Sequence, residues 1–191
     1  MKTHSLIKKQ IRVNDFEPEK IHEVVENIRK EPGLGASKFR LSNRWLGGDS
    51  NRSVVEGFRA AGQEQKHKKT FVFENGEPPV LLGKDEGANP VEFLLHALAG
   101  CVTTTTVMHA AARKIPVQRL ETSLEGDLDV RGLLGISDDV AKGYQQIRVT
   151  MKIVSDAKGE EREALKNFYR LSPVLNTIGS PVDVEVHIEK A

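Results

Sequence analysis

The sequence predicts an α+β fold with mainly antiparallel sheets around one long central helix. The stretch from Asn89 to Arg113 is long, mostly apolar and helical in character, and it carries Cys101, the only cysteine among the 191 residues. Apolar residues alternate with polar ones before and after this stretch, most clearly from Tyr144 to Ser155. The order is strands, long helix, strands, helix, strand. Because strands and helices do not alternate one by one, antiparallel pairing is favoured.

The first 35 residues are predicted to form an extension, and residues 36–191 one main domain. Within the extension, Pro18 to Glu31 has apolar residues at the spacing of one helical face, which predicts a short amphipathic helix. Asp15 is the expected cap, and Pro18 suits the first turn. Two interpretations stay open for this helix: it binds a partner or wraps around the second subunit of a dimer, or it packs on its own domain.

The remaining elements follow from changes in the apolar period. The charged run from Gln63 to Lys69 is predicted to be a hairpin tip or loop, because such runs are usually solvated. The predicted strands are Ser37–Leu46, ending at Gly47-Gly48, then Val54–Phe58, Thr70–Phe73, Val117–Arg131, Tyr144–Ser155 and Val182–Ile188; the predicted helices after the long one are Lys158–Leu171 and Val174–Gly179.

The long helix has clear signals at its start. Asn89 is the expected cap, Pro90 occupies the first helical position, and Glu92 lies at the positive end of the helix dipole. A helix that is apolar nearly all round is normally buried, so this one is predicted to form the centre of a core. His96 and four threonines make it too mixed for a membrane span.

Composition excludes several classes of function. The 28 basic and 27 acidic residues leave a net charge of +1, so nothing draws the chain towards nucleic acid or anionic lipid. We expect no secretory signal, and one cysteine permits no intrachain disulfide, so a cytoplasmic protein is predicted. No GxGxxG, GxxxxGK[ST], HExxH or CxxC pattern is present, and therefore no cofactor and no metal site are expected.

The lone thiol permits two interpretations. A cysteine deep within an apolar helix is normally inert. Twelve residues separate Cys101 from Asn89, so the helix dipole is too distant to lower the pKa of the thiol. A reactive Cys101 therefore requires a cation from another segment or another subunit.

The stretch NPVEFLLHALAGC, from Asn89 to Cys101, resembles the signature of the OsmC/Ohr family of osmotically inducible and organic hydroperoxide resistance proteins. Trp45–Gly48 resembles the family's first hairpin, and Leu171–Val174 its second motif. The resemblance covers about Ser37 to Glu189. It implies an OsmC-like fold and an intertwined homodimer, with active sites at the subunit interface.

The resemblance also implies a chemistry. Active members reduce organic hydroperoxides with two cysteines: the first is oxidised to a sulfenic acid, the second closes a disulfide, and an external thiol or lipoyl group reduces it. An Arg and a Glu hold the first thiolate. Cys101 stands in the position of that first, attacking cysteine.

Three positions depart from the family pattern. Ser172 occupies the place of the second cysteine, and a hydroxyl cannot close a disulfide. Val91 stands where the family carboxylate follows the proline, and Glu92 comes one residue later, about 100° around the helix. The family's arginine lies near the first hairpin turn, where Arg44 and Arg52 are the candidates. We expect a bound molecule to contact Val91, His96 and Pro173.

Three functional hypotheses remain. The first is a one-cysteine peroxidase in which Cys101 attacks an organic hydroperoxide and an external thiol completes the cycle. The second is a non-catalytic homodimer that binds a small apolar ligand at the subunit interface, beside Cys101. The third is a structural or regulatory protein with an inert Cys101. The ionisation state of the Cys101 thiol distinguishes these three hypotheses.

Overall fold

A computed structural model describes residues 11–180 and 182–190 of the chain. The architecture is mixed α+β, with antiparallel sheets and one long helix, as the sequence predicts. The chain divides into two compact units: Glu17–His96 forms one, and residues 11–16 with the described residues from 97 onwards form the other. The boundary falls inside the long helix.

The elements are named in chain order. They are α1 (Pro18–Lys30), β1 (Lys38–Phe39), β2 (Ser42–Gly47), β3 (Ser50–Ala60), β4 (Gln63–Asn75), α2 (Pro90–Ala112), β5 (Arg119–Asp127), α3 (Val130–Leu133), β6 (Gln146–Val154), α4 (Gly159–Leu165) and α5 (Pro173–Gly179), with short 3-10 helices at Pro32–Gly35, Pro79–Leu81 and Phe168–Leu171.

The unit Glu17–His96 contains a sheet in which β3 is central. β1 and β2 pair with one side of β3 and β4 with the other, all antiparallel. Ala61 and Gly62 have φ angles of 48° and 73°, which is the left-handed backbone of a tight two-residue hairpin turn. The prediction of a loop over Gln63–Lys69 is therefore wrong. The turn ends at Gly62, and the charged residues lie within β4. This strand accommodates them because most of its side chains are exposed to solvent.

Aromatic side chains form a series along this sheet. The rings of Phe39 and Phe58 stack at 5.5 Å, Phe58 and His67 lie 5.0 Å apart, and His67 contacts the edge of Phe71 at 5.0 Å. Phe39 is nevertheless 75 % exposed, and Trp45 is 71 % exposed. The sheet therefore leaves large apolar side chains uncovered within a single chain.

The other unit is built on the β5–β6 hairpin and the C-terminal half of α2. β5 and β6 pair antiparallel, with Leu120 opposite Ile153. Asn14 ties the start of the described chain to this unit: its side-chain amide donates to the carbonyl of Ile115 at 3.0 Å and accepts from the N–H of Val117 at 2.8 Å. The small core consists of Ala110, Ile115, Leu165 and Phe168.

The long helix α2 begins and ends within one residue of its predicted bounds. The prediction that it is the buried centre of a core holds only in part, because few of its residues are covered by the chain. The buried ones are Leu98, Val102, Thr105, Thr106, Ala110 and Ala111.

By length and composition alone α2 could cross a membrane, contrary to the sequence prediction. The core helix of a soluble protein meets the same criterion, so this finding is weak evidence for a membrane span.

Other predicted boundaries need correction. Asp15 does not cap α1, because it has a left-handed φ of 63° in a tight turn and Glu17 is the capping residue. The predicted helix Lys158–Leu171 breaks after α4, where the Asn167 amide donates to the Glu163 carbonyl in competition with the helix. β5 ends at Asp127 instead of Arg131, since Asp129 caps α3.

The predicted final strand is also absent. Residues 182–190 form no helix and no strand among the described residues. A strand requires a partner for its backbone groups, and the single chain provides none here.

Candidate functional site

Cys101 lies in the middle of α2 and is partly exposed, so it is not an enclosed core thiol. Its sulfur is 4.0 Å from the hydroxyl oxygen of Thr105, one helical turn later. Among the described residues this hydroxyl is the only hydrogen-bond partner of the sulfur. The sequence did not single out Thr105, although its i+4 spacing on a helix places it beside Cys101.

Other threonines of α2 fix the helix around the thiol. The Thr103 and Thr122 hydroxyls lie 2.7 Å apart, which joins α2 to β5. The Thr106 hydroxyl donates to the Val102 carbonyl at 2.7 Å and satisfies itself within the helix. Both hydroxyls have hydrogen-bond partners, so an otherwise apolar helix carries them at little cost in free energy.

The histidine in the last turn of α2, His109, does not supply a cation at neutral pH. His109 stacks on Phe168 at 5.8 Å, and the guanidinium carbon of Arg113 lies 5.1 Å from the centre of the same ring. Burial lowers the pKa of His109, and the positive charge of Arg113 lowers it further. The imidazole is therefore neutral under the conditions in which a thiolate would need a positive neighbour.

Glu92 has a structural partner at the start of α2. Its carboxylate accepts the backbone N–H of Asn89 at 2.9 Å, and the Asn89 side chain accepts the N–H of Glu92 at 2.8 Å. This reciprocal pair is a capping box. It confirms Asn89 as the cap and gives Glu92 a role that needs no thiolate.

Arg44 and Arg52 lie opposite each other on β2 and β3. Arg52 donates to Glu74 on β4, at 2.7 Å from Nε and 2.5 Å from Nη2. Both members of this pair are well exposed, so the pair adds little stability. Arg44 is exposed and forms no hydrogen bond or ion pair with the residues that the structure describes.

Ser172, in the predicted place of the second cysteine, is fully buried. Its hydroxyl accepts the N–H of Leu175 at 3.1 Å and caps α5, with Pro173 at the first helical position. Its carbonyl accepts the backbone N–H of Asn176 at 3.1 Å and the Asn176 side-chain amide at 2.8 Å. Both the hydroxyl and the carbonyl of Ser172 therefore accept hydrogen bonds at the start of α5, where the residue caps the helix.

The three expected ligand contacts differ in exposure. Val91 is half-buried, whereas His96 and Pro173 are exposed. Within the described part of the chain, no three His, Cys, Asp or Glu side chains come together as a metal ion would require. Among the predicted site residues, Cys101 is partly exposed and its sulfur has one weak contact, to Thr105, whereas Glu92, Arg52 and Ser172 are held by structural partners.

A family model described as OsmC-like protein matches residues 83–187, which is more than half of the chain and includes Cys101. The chain belongs to the OsmC family.

Solved structures of OsmC-like proteins share the fold at low sequence identity. The OsmC-like protein of Mycoplasma pneumoniae is 18 % identical, with a TM-score of 0.55 over 74 % of this chain and 87 % of that chain. An osmotic stress induced and detoxification response protein of Psychrobacter arcticus 273-4 is 12 % identical, with a TM-score of 0.54 over 72 % and 85 %. No curated protein matches the chain. The likeness confirms the OsmC-like fold.

Proposed function

We propose that the protein is a cytoplasmic OsmC-like redox protein that reduces organic hydroperoxides with Cys101 as its single reacting thiol. One observation carries the proposal: Cys101, within the family match, is partly exposed on an apolar helix and not sealed in the core. An apolar surround suits a hydrophobic peroxide, and an accessible thiol can meet it.

The reaction balances with one protein thiol. The Cys101 thiolate attacks the terminal peroxide oxygen, an S–O bond forms as the O–O bond breaks, and the leaving alkoxide takes a proton and departs as the alcohol. An external thiol attacks the sulfenic sulfur, water leaves, and a mixed disulfide remains. A second external thiol releases Cys101 and is itself oxidised to the disulfide. Ser172 takes no part.

The proposal requires a cation beside the thiolate, because the helix dipole is too distant to stabilise it. Glu92 accepts a hydrogen bond from Asn89, and Arg52 donates one to Glu74. Arg44 is the uncommitted candidate, and in a homodimer it can come from the second copy. The proposed active form is therefore a homodimer whose site draws on both subunits.

Cumene hydroperoxide with dithiothreitol as the external thiol tests the chemistry. We expect the protein to consume the peroxide catalytically and, without dithiothreitol, to gain one oxygen atom on Cys101 by mass spectrometry. Cys101→Ser should lose both reactions, whereas the matched control Thr104→Ala, an exposed position on the same helix, should retain them. No peroxide consumption, together with a thiol pKa above about 8.5, the unperturbed value, would exclude the peroxidase.

A second candidate is a non-catalytic homodimer that binds a small apolar ligand beside Cys101. The observation that favours it is that Glu92, Arg52 and Ser172 all have local structural partners. Under this candidate, an apolar fluorescent probe binds the wild-type protein, Cys101→Trp weakens the binding, and peroxide is not consumed. Probe binding that Cys101→Trp leaves unchanged would contradict it.

A further inference from the structure

A concavity of about 720 Å³ opens in the sheet of β1 to β4, where the pairing of the strands is interrupted. β3 pairs with β4 at Val55, opposite Phe71, and again at Gly57, opposite Lys66. Four residues of β4 therefore lie opposite the single residue Glu56, which makes a large bulge. Bulges bend a strand and redirect its side chains, and they are frequent beside functional sites.

The other side of β3 is interrupted at the same level. β1 ends at Phe39 and β2 begins at Ser42, so the two residues between them belong to no strand. Gly57 permits the bulge, because a Cβ at this position would lie 2.5 Å from the carbonyl oxygen of Gln65. The register of the strands on both sides of β3 thus opens the sheet around one point.

Positive charge predominates on the lining of this concavity. Four lining residues are basic and two are acidic: Arg40, Lys66, Lys68 and Lys69, and Glu56 and Glu64. Arg40 already binds the Glu64 carboxylate through two hydrogen bonds of 2.8 and 2.9 Å. In the described part of the chain the three lysine side chains form no ion pair. A chain with a net charge of +1 therefore concentrates uncompensated positive charge here.

Other residues of the lining are apolar or aromatic. Leu41 and Val54 contribute aliphatic side chains, and His67 contributes its ring. The His67 ring is fixed between two phenylalanines, with its centre 5.0 Å from that of Phe58 and 5.0 Å from that of Phe71. The concavity therefore combines cations with a small apolar surface, which suits an anion that carries an organic part.

We propose that this concavity binds a small organic phosphate, such as a mononucleotide. Lysine ammonium groups bind phosphate as point charges. Leu41, Val54 and the His67 ring contact the organic part, and the Glu56 carboxylate accepts from its hydroxyl or amino groups. The volume lies within the range of roughly 300–1,000 Å³ that is typical of small-molecule sites.

This site goes beyond the proposed redox function and does not depend on Cys101. All of its residues belong to the unit Glu17–His96. Absence of a GxxxxGK[ST] pattern does not oppose it, because the positive charge comes from lysine side chains and not from the backbone of a glycine-rich loop.

Isothermal titration calorimetry of the full-length protein with adenosine monophosphate and with ribose 5-phosphate tests the site. We expect one molecule to bind per chain, and binding to weaken as NaCl is raised, since exposed charges are screened. Adenosine lacks the phosphate and inorganic phosphate lacks the organic part, so each should bind about tenfold more weakly than adenosine monophosphate. Cys101→Ser should leave the affinity unchanged.

A triple variant locates the binding. It replaces the three lysines of the lining with glutamine: Lys66→Gln, Lys68→Gln and Lys69→Gln. We expect it to bind adenosine monophosphate about tenfold more weakly, because each exposed charge contributes a fraction of a kcal/mol. The matched control removes the same charge from exposed lysines of the other unit and should retain the affinity: Lys142→Gln, Lys152→Gln and Lys158→Gln.

A single substitution gives a change of the opposite sign and does not depend on the folding of the triple variant. Glu56→Gln removes a negative charge from the lining and should strengthen phosphate binding, whereas Glu160→Gln, at an exposed position of α4, should not. Binding of neither organic phosphate, equal losses in the two triple variants, or no effect of Glu56→Gln would overturn the proposal. So would a single-stranded oligonucleotide whose affinity exceeds that of adenosine monophosphate and rises with its length, since this indicates a nucleic-acid surface.

Discussion

Ser172 shows how a single residue can occupy a position of the family's chemistry and serve structure instead. It is fully buried, and its hydroxyl satisfies the Leu175 N–H at the start of α5. Serine is among the best capping residues, and proline at the next position continues the helix without needing a donor.

Removal of this hydroxyl is predicted to destabilise the fold without affecting the redox chemistry. Ser172→Ala leaves the Leu175 N–H without its acceptor and should lower the free energy of unfolding by about 1 kcal/mol. Urea denaturation measures this effect. Ser180→Ala, at the exposed end of α5, is the matched control and should change the free energy of unfolding little. Equal effects of both substitutions would contradict a specific cap.

The contacts of single residues also explain why Cys101 remains the candidate reactive thiol. A thiol with one weak contact to Thr105 has no structural commitment that would be lost on oxidation. Glu92, by contrast, cannot turn to a thiolate without giving up the Asn89 N–H. The peroxidase reaction therefore depends on whether a second chain provides a cation beside the Cys101 thiolate.

At the scale of an element, the loop before α2 is held by one carboxylate. Asp49, in the turn between β2 and β3, accepts the backbone N–H of Glu77 at 2.9 Å and of Lys84 at 3.2 Å. These bonds, that of Glu77 first, lower the pKa of Asp49. Gly83 permits the close approach, because a Cβ there would collide with the Glu77 carbonyl oxygen.

The lowered pKa gives a signed pH prediction. A carboxyl whose pKa is lower in the folded state stabilises the fold above its unfolded pKa, and this stabilisation is lost as pH falls through the folded value. Asp49→Asn should therefore unfold at lower urea than wild type at pH 7, and the difference should shrink as pH falls below about 4. Asp139→Asn, in an exposed loop, should show no such convergence. A pH-independent difference for Asp49→Asn would contradict the mechanism.

At the scale of the whole molecule, a single chain covers its apolar surface poorly. The sheet of Glu17–His96 exposes Phe39 and Trp45, and α2 is buried along only part of its surface. Exposed apolar area of this kind in a folded protein marks an interaction surface. A second copy is the partner that the family resemblance implies.

We therefore predict that the protein is a homodimer in solution. Light scattering should give twice the mass of one chain at micromolar concentration, since burying this apolar surface favours association. Trp45→Lys places a charge on the exposed sheet face and should shift the equilibrium towards the monomer, whereas Lys142→Glu, in an exposed loop, should not. A monomer at every concentration would remove the shared site from both proposed functions.

The sequence by itself determined the fold class, the bounds of α2 and the candidate thiol. These depend on local signals: a 23-residue apolar stretch with Asn89 and Pro90 at its start, and strict alternation in β6. Turns and ends were harder to predict, because Ala61-Gly62, rather than the charged run, forms the turn, and Asn167 interrupts a helical pattern that looked continuous.

Only the tertiary structure decided what the predicted site residues do. That Glu92 caps a helix, that Arg52 pairs with Glu74 and that Ser172 is enclosed all depend on which atoms the fold brings within bonding distance, and residue type does not specify this. The strand pattern of Val182–Ile188 is equally plain in the sequence. Whether it becomes a strand depends on a partner edge, because backbone hydrogen bonds between strands are tertiary contacts.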